Sequence, residues 1–321
     1  MKVLIAFLLC AGGATSAVCA WAQGYPAKPV RVLVGFAAGS TTDLIGRVLA
    51  TKLGEGLGQT VVVDNRPGAG ANIAAELVSK APPDGYTALL ANAGIATGAT
   101  AYVKLNFNAL RDFTPVTQVS ATPHILVTHP SLPPKTVKEL IAFARARPDT
   151  LNYASTGHGN SDHLAAELFS YMTGLKMVHI TYKGGPLALN DLLTGQIAIY
   201  FAGVPVALPF VKAGRIRALG VTGVKRAPVL PDVPTVAEAG VAGYEHILWS
   251  MLVVPAATPR DVVAKLNREA VRALEAAEVR ERYAGMGVDP VGTTQEQASA
   301  YLKSETAKYA KVVKAIGLRI E

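Results

Sequence analysis

The stretch Leu151-Asn-Tyr-Ala-Ser-Thr-Gly-His-Gly-Asn-Ser-Asp-His-Leu-Ala-Ala-Glu-Leu-Phe169 reads as a short strand, a turn rich in glycine and hydroxyl groups, and an amphipathic helix. Ser155, Thr156, Gly157, Gly159 and Asn160 make the turn, and Ser161 and His163 open the helix. Glycine lets a backbone come close to a ligand, and Ser161 or Asp162 can cap the helix. The first N–H groups of an α-helix have no acceptor within it. A carboxylate placed there meets several donors and the positive end of a helix dipole. The same residues also suit an ordinary strand-to-helix connection with a Ser or Asp cap, so the rest of the chain has to decide.

The device recurs near the start. Val30-Arg-Val-Leu-Val34 is a run of the buried parallel-strand type, followed by Gly35-Phe-Ala-Ala-Gly-Ser-Thr-Thr-Asp43 and a helix with Leu44, Ile45, Val48, Leu49 and Leu53 on one face. Ser40 or Thr41 is a natural cap there, and Asp43 can complete it. Thr60 to Asp64 is the next strand. Gly68-Ala-Gly70 after it is no dinucleotide fingerprint, because the third glycine would fall on Ile73. The strand Tyr86 to Ala91 ends in the small, polar run Asn92 to Thr97, where Asn92 can either donate its amide to a ligand or close an Asx-turn.

Thr114 to His129 is extended and apolar with no helical period, as suits a crossing between lobes. A helix from Lys135 to Arg147 leads into the opening stretch. After it the strand Val178 to Thr181, the turn Tyr182 to Pro186 and further strand and helix units run to Val221. Such alternation means mostly parallel sheets with right-handed crossovers. Ile247 to Val254 is the return crossing, and only helices are expected beyond it, the first with Thr258 as cap and Pro259 at its first position. The reading is α/β with two lobes and two crossover strands: residues 23–120 and 250–321 form lobe I, and 121–249 form lobe II. A ligand belongs between them, where the loops at the carboxyl ends of both sheets converge.

Residues 1–22 carry Lys2, the apolar run Val3 to Cys10 and a small-residue end at Ala20-Trp-Ala22, which fits a secretory signal cleaved after Ala22 and a periplasmic destination. Both cysteines, Cys10 and Cys19, lie inside it, so the exported part has no thiol chemistry. The remaining residues hold 30 Lys and Arg, the 31 of the chain less Lys2, against 23 Asp and Glu. The basic residues are scattered without interleaved aromatics, which argues against nucleic acid and suits anionic small molecules.

The motif order resembles the Bug-type, TctC-like extracytoplasmic solute receptors of tripartite tricarboxylate transporters. The residues that carry the likeness are Gly35 to Asp43, Asp64-Asn-Arg-Pro-Gly-Ala-Gly70, Asn152 to Leu164, Tyr182-Lys-Gly-Gly185, Leu230-Pro-Asp-Val-Pro-Thr-Val-Ala-Glu-Ala-Gly240 and Pro255-Ala-Ala-Thr-Pro259. The resemblance implies a periplasmic-binding-protein clamshell of type II, a monomer without cofactor, that closes on a small carboxylate and delivers it to integral-membrane subunits. It implies ligand contacts from Phe36, Gly39, Ser40, Thr41 and Asp43 in the first loop, from Ser155 to Ser161 with His163 in the second, and from Asn92, Tyr182 and Gly184. The chain departs from the family pattern at Ala38, Ser40, Asn160, Ile95 and Ala202.

The rival reading is a hydrolase using Ser155, His158, Ser161, Asp162 and His163. No Gly-x-Ser-x-Gly elbow occurs, and His158 and His163 stand five apart where one metal on a helix face needs four, so neither catalysis nor a metal is expected.

Overall fold

The computed structural model describes residues 24–320, so the expected signal segment lies outside the described residues. In lobe I the order is β1 (Val30–Val34), α1 (Thr41–Leu57), β2 (Val61–Asn65), α2 (Asn72–Ser79), β3 (Thr87–Ala91) and α3 (Ala93–Ala101). The first crossing is β4 (Phe113–Thr128), and α4 (Val137–Arg145) follows. Lobe II continues with β5 (Asn152–Ser155), α5 (Ser161–Thr173), β6 (Val178–Thr181), α6 (Gly185–Leu193), β7 (Ile199–Gly203), α7 (Val204–Lys212) and β8 (Arg217–Val221). The second crossing is β9 (Ile247–Pro255), after which α8 (Arg260–Glu275), α9 (Ala277–Met286), β10 (Asp289–Pro290) and α10 (Gln295–Ala315) return to lobe I.

Both lobes are built on one plan. β1 lies parallel between β2 and β3, and β5 lies parallel between β6 and β7. The chain therefore reverses its winding at the carboxyl ends of β1 and β5, the switch points where α/β sheets bind ligands. Antiparallel pairing is confined to β4, β9 and their neighbours. β4 pairs with β9 as far as Pro123↔Ile247 and then with β7 from His124↔Gly203, so one strand serves both sheets. The sheets change over at Pro123/His124 and at His246/Ile247.

Apolar residues cover both faces of each sheet. In lobe I, α1 and α8 bury Ile45, Leu49, Leu53, Val263 and Leu266 on one face, while α2, α3 and α10 bury Val78, Ile95, Leu302 and Val313 on the other. The lobes are also closed on one another. Leu164 of α5, 1% exposed, sits in the lobe I cluster with Trp249 and Tyr309, while Leu44 of α1 packs on the lobe II core. Burying a leucine this way contributes about 1.5–3 kcal/mol to closure. Polar contacts span the same gap: Ala37 N–H donates to Lys183 O, Thr97 Oγ1 to Gly159 O and the Tyr102 hydroxyl to His158 O.

The Asx-turn read at Asn92 is present: its Oδ1 accepts the Gly94 N–H at 2.9 Å and caps α3. Two local expectations are corrected. β10 follows β9, so helices alone do not complete the chain. Pro259 itself holds the cap position of α8, and the Thr258 hydroxyl donates to Pro255 O.

Candidate functional site

At the end of β1 the Ser40 hydroxyl accepts the Asp43 N–H, and Asp43 Oδ2 accepts the Gly39 N–H at 2.8 Å. Arg47 Nε and Asn65 Nδ2 hold the same carboxylate. Burial opposes its ionisation, but these hydrogen bonds prevail and keep its pKa below the ordinary value. Asp43 is thus occupied with shaping the loop. The N–H groups and hydroxyls of Thr41 and Thr42, the first two residues of α1, have no partner among the described residues.

At the end of β5 the plan is repeated with other side chains. His163 Nδ1 accepts the Gly159 N–H at 3.0 Å, the counterpart of the Gly39–Asp43 link. Asn160, at the cap position, forms no cap bond and donates Nδ2 to Thr156 O. The expectation that Ser161 or Asp162 caps the helix is corrected here. Asp162 accepts the Thr156 N–H and the Tyr200 hydroxyl, and Ser161 Oγ lies 2.9 Å from both His124 Nε2 and His246 Nε2. Burial pushes the Asp162 pKa up to about 6, against the hydrogen bonds from Thr156, His163 and Tyr200. Gly157 has φ +131, and a Cβ on it would come within 2.8 Å of Gly70 Cα in the other lobe, so only glycine permits this approach.

The two loops face a common cavity of about 30 Å³. Its walls include Ser40, Thr41 and Thr42 of the α1 start, the α3 cap Asn92, Ser161 and Asp162 of α5, Gly185 at the head of α6 and the α7 cap Gly203. Five helix N-termini therefore converge on one space, each carrying roughly +0.5 of a charge. No lysine or arginine lines it, and Asp162 is its one carboxyl group. Neutral, fixed N–H donors in such an arrangement accommodate an anion. A wider surface groove of about 770 Å³ runs beside Arg47, Gly54 and Gln59, but there α1 presents its carbonyl end.

Residues 45–318 match the sequence profile of the tripartite tricarboxylate transporter family receptor. The chain belongs to this family. Among its relatives is the protein BugT of Bordetella pertussis, 36% identical over 302 residues that cover 94% of this chain and 93% of BugT. Rpa4515 of R. palustris, solved with adipate, is 37% identical with a TM-score of 0.89, over 92% of this chain and 99% of that one. The periplasmic binding protein BugD is 32% identical, also with a TM-score of 0.89, over 92% of this chain and 100% of BugD.

On this family fold, Phe36, Ser40, Thr41, Asn92, Thr156 and Ser161 of the expected residues reach the cavity wall. Gly39, Asp43, Ser155, Gly157, Gly159, Asn160, His163, Tyr182 and Gly184 do not, and most of them hold the loops in shape. Ser155 Oγ accepts the Gly157 N–H, and Tyr182 donates to Asp191. Sequence reading missed Thr42, His124, Asp162, Gly185, Tyr200, Gly203 and Leu248 as wall residues. The Gly184-Gly185 turn before α6 was the available signal for Gly185.

β6 also brings His179 beside His158 and His163, with one ring nitrogen of each within 4.8 Å of the others. His163 accepts a hydrogen bond at Nδ1, which places its proton on Nε2 and leaves that nitrogen no lone pair for a metal. Its ring is also stacked on His179 at 4.1 Å, whereas a shared ion must lie in the plane of both rings.

Proposed function

We propose that this chain is a periplasmic solute receptor that closes two lobes, residues 24–123 with 247–320 and residues 124–246, on a small carboxylate and presents it to the membrane subunits of a tripartite tricarboxylate transporter. The observation that carries the reading is the convergence of five helix N-termini on a cavity lined by no lysine or arginine. Adipate in Rpa4515 supports the ligand class. Phe36, Ser40, Thr41, Thr42, Asn92, Thr156 and Ser161 are the proposed contacts, with Gly39, Asp43, Ser155, Gly157, Gly159, Asn160, His163, Tyr182 and Gly184 forming their support. We take the receptor to be a monomer exported by residues 1–22.

The Ser155–His179 pair and the Ser161 contacts with His124 and His246 are the observations that favour a hydrolase. Among the described residues no carboxylate meets the other nitrogen of any of these rings, so no base is oriented for a serine. Thermal denaturation with mono-, di- and tricarboxylates separates the two readings. A receptor is stabilised by about 2.7 kcal/mol at a hundredfold excess over Kd and leaves its ligand intact. No stabilisation across the panel, or consumption of the ligand, contradicts it.

A further inference from the structure

We propose that Asp162 couples solute capture to a proton: when a carboxylate enters the cleft, Asp162 takes one proton from solvent and meets the solute as a neutral carboxyl group. This coupling rests on the carboxylate-receptor reading and assigns a second ion to the same site.

Asp162 is the one carboxyl group in the wall of a cavity on which five helix N-termini converge. It is the second residue of α5, 3% exposed, and directly follows Ser161, another residue of the wall. A carboxylate seated at the start of α5 is therefore a near neighbour of Asp162. Two carboxylates sharing a buried site do not both stay ionised unless a cation lies between them. No lysine or arginine lines the cavity, and Asp162 forms no ion pair among the described residues. Its lobe I counterpart Asp43 differs on both points, because Arg47 holds it ionised and it stands outside the wall. An ionised Asp162 also occupies the positive end of α5, since it lies in the first turn. As a neutral group it leaves that field to the solute and offers an O–H donor in place of a repelling charge.

The surroundings accommodate either form. The Tyr200 hydroxyl, 3.2 Å from Oδ2, can turn from donor to acceptor, while the N–H groups of Thr156 and His163 donate to lone pairs that a neutral carboxyl keeps. Burial already pushes the pKa of Asp162 up to about 6, and an anion beside it moves the value in the same direction. The other titratable groups around it are further from changing state at neutral pH. Burial pushes Tyr200 of β7 and Tyr153 of β5 well up, so both stay protonated and neutral. It pushes His246 before β9 well down, His124 of β4 to about 4 and His163 of α5 to about 2, so these rings stay neutral as well. The proton comes from water or buffer, adds to a carboxylate oxygen of Asp162, and returns to solvent when the solute leaves.

The test is calorimetry on the full chain with each acid of the carboxylate panel, adipate first, in two buffers of different ionisation enthalpy. Wild type is expected to take up about one proton per adipate near pH 7.5, and its affinity to fall about tenfold between pH 7 and pH 8. Asp162→Asn and the smaller Asp162→Ser should bind without uptake, their affinity changing less than about threefold over that range. Melting without ligand shows whether each variant is folded, and the wild-type uptake decides by itself where one is not. Wild type that binds an acid of the panel with no proton uptake overturns the inference, because Asp162 then stays ionised. Uptake that persists in a folded variant also overturns it, since the proton then lies on another group. Wild type that binds no acid of the panel contradicts the receptor reading, and the coupling falls with it.

Discussion

At the scale of single residues, the site separates groups that shape the loops from groups left free to bind. Thr42 is of the second kind, since its hydroxyl has no partner among the described residues and lines the cavity. Thr42→Val keeps the shape and removes the hydroxyl. It is expected to weaken carboxylate binding about tenfold while leaving the melting temperature nearly unchanged, because only a surplus donor is lost. A large fall in melting temperature would show that the hydroxyl is structural. Gly157→Ala tests the opposite kind of residue. Its φ of +131 and the 2.8 Å approach to Gly70 predict both backbone strain of about 1–3 kcal/mol and impaired closure; unchanged ligand affinity in that variant counts against the loop-to-loop approach. Residue roles were only partly legible in the sequence. Gly157 and Ser161 announce a turn and a helix start by type, whereas His124 and His246 meet Ser161 through contacts that no local pattern records.

At the scale of elements, the repeated strand, glycine turn and helix of β1–α1 and β5–α5 were readable because each combines a short apolar run with an amphipathic helix. α3 was not, since its Ala, Gly and Thr residues are buried around much of the helix and give no amphipathic period. The crossing strands carry a pH prediction. The pKa values of His124, His246, His163 and His179 are lowered in the folded state, chiefly by burial, reaching about 4 for His124, about 2 for His163 and about 4 for His179. The unfolded chain thus binds more protons below pH 6.5, so stability is full above that pH and falls as pH drops toward 4. Asp162, raised to about 6, acts in the opposite sense between about pH 6 and its ordinary carboxylate range, but it is one group against four. Denaturant melts at pH 7.5 and 5 should show the fall, and His124→Gln should flatten it by about 1.4 kcal/mol per pH unit. An unaltered slope in that variant would mean that His124 is not buried as a neutral ring.

At the scale of the whole molecule, the 30 Å³ cavity holds about two waters and no adipate-sized solute. A ligand enters only when the lobes part about the changeover at Pro123/His124 and His246/Ile247. Solution scattering should therefore record a smaller radius of gyration at carboxylate saturation than without ligand; an unchanged profile in a sample shown to bind argues against hinged closure. The two-lobed plan was legible from two long extended segments and the alternation between them. The extent of closure was not, because it depends on contacts such as Leu164 in the lobe I core that only the assembled lobes create.

The most direct measurement is a crystal structure of the protein with adipate. The account predicts one carboxylate within hydrogen-bond distance of the Thr41 or Thr42 N–H in lobe I and of the Ser161 hydroxyl or N–H in lobe II, with both helix starts in contact with the same ligand. Adipate held by one lobe alone, or bound outside this cleft, would contradict it.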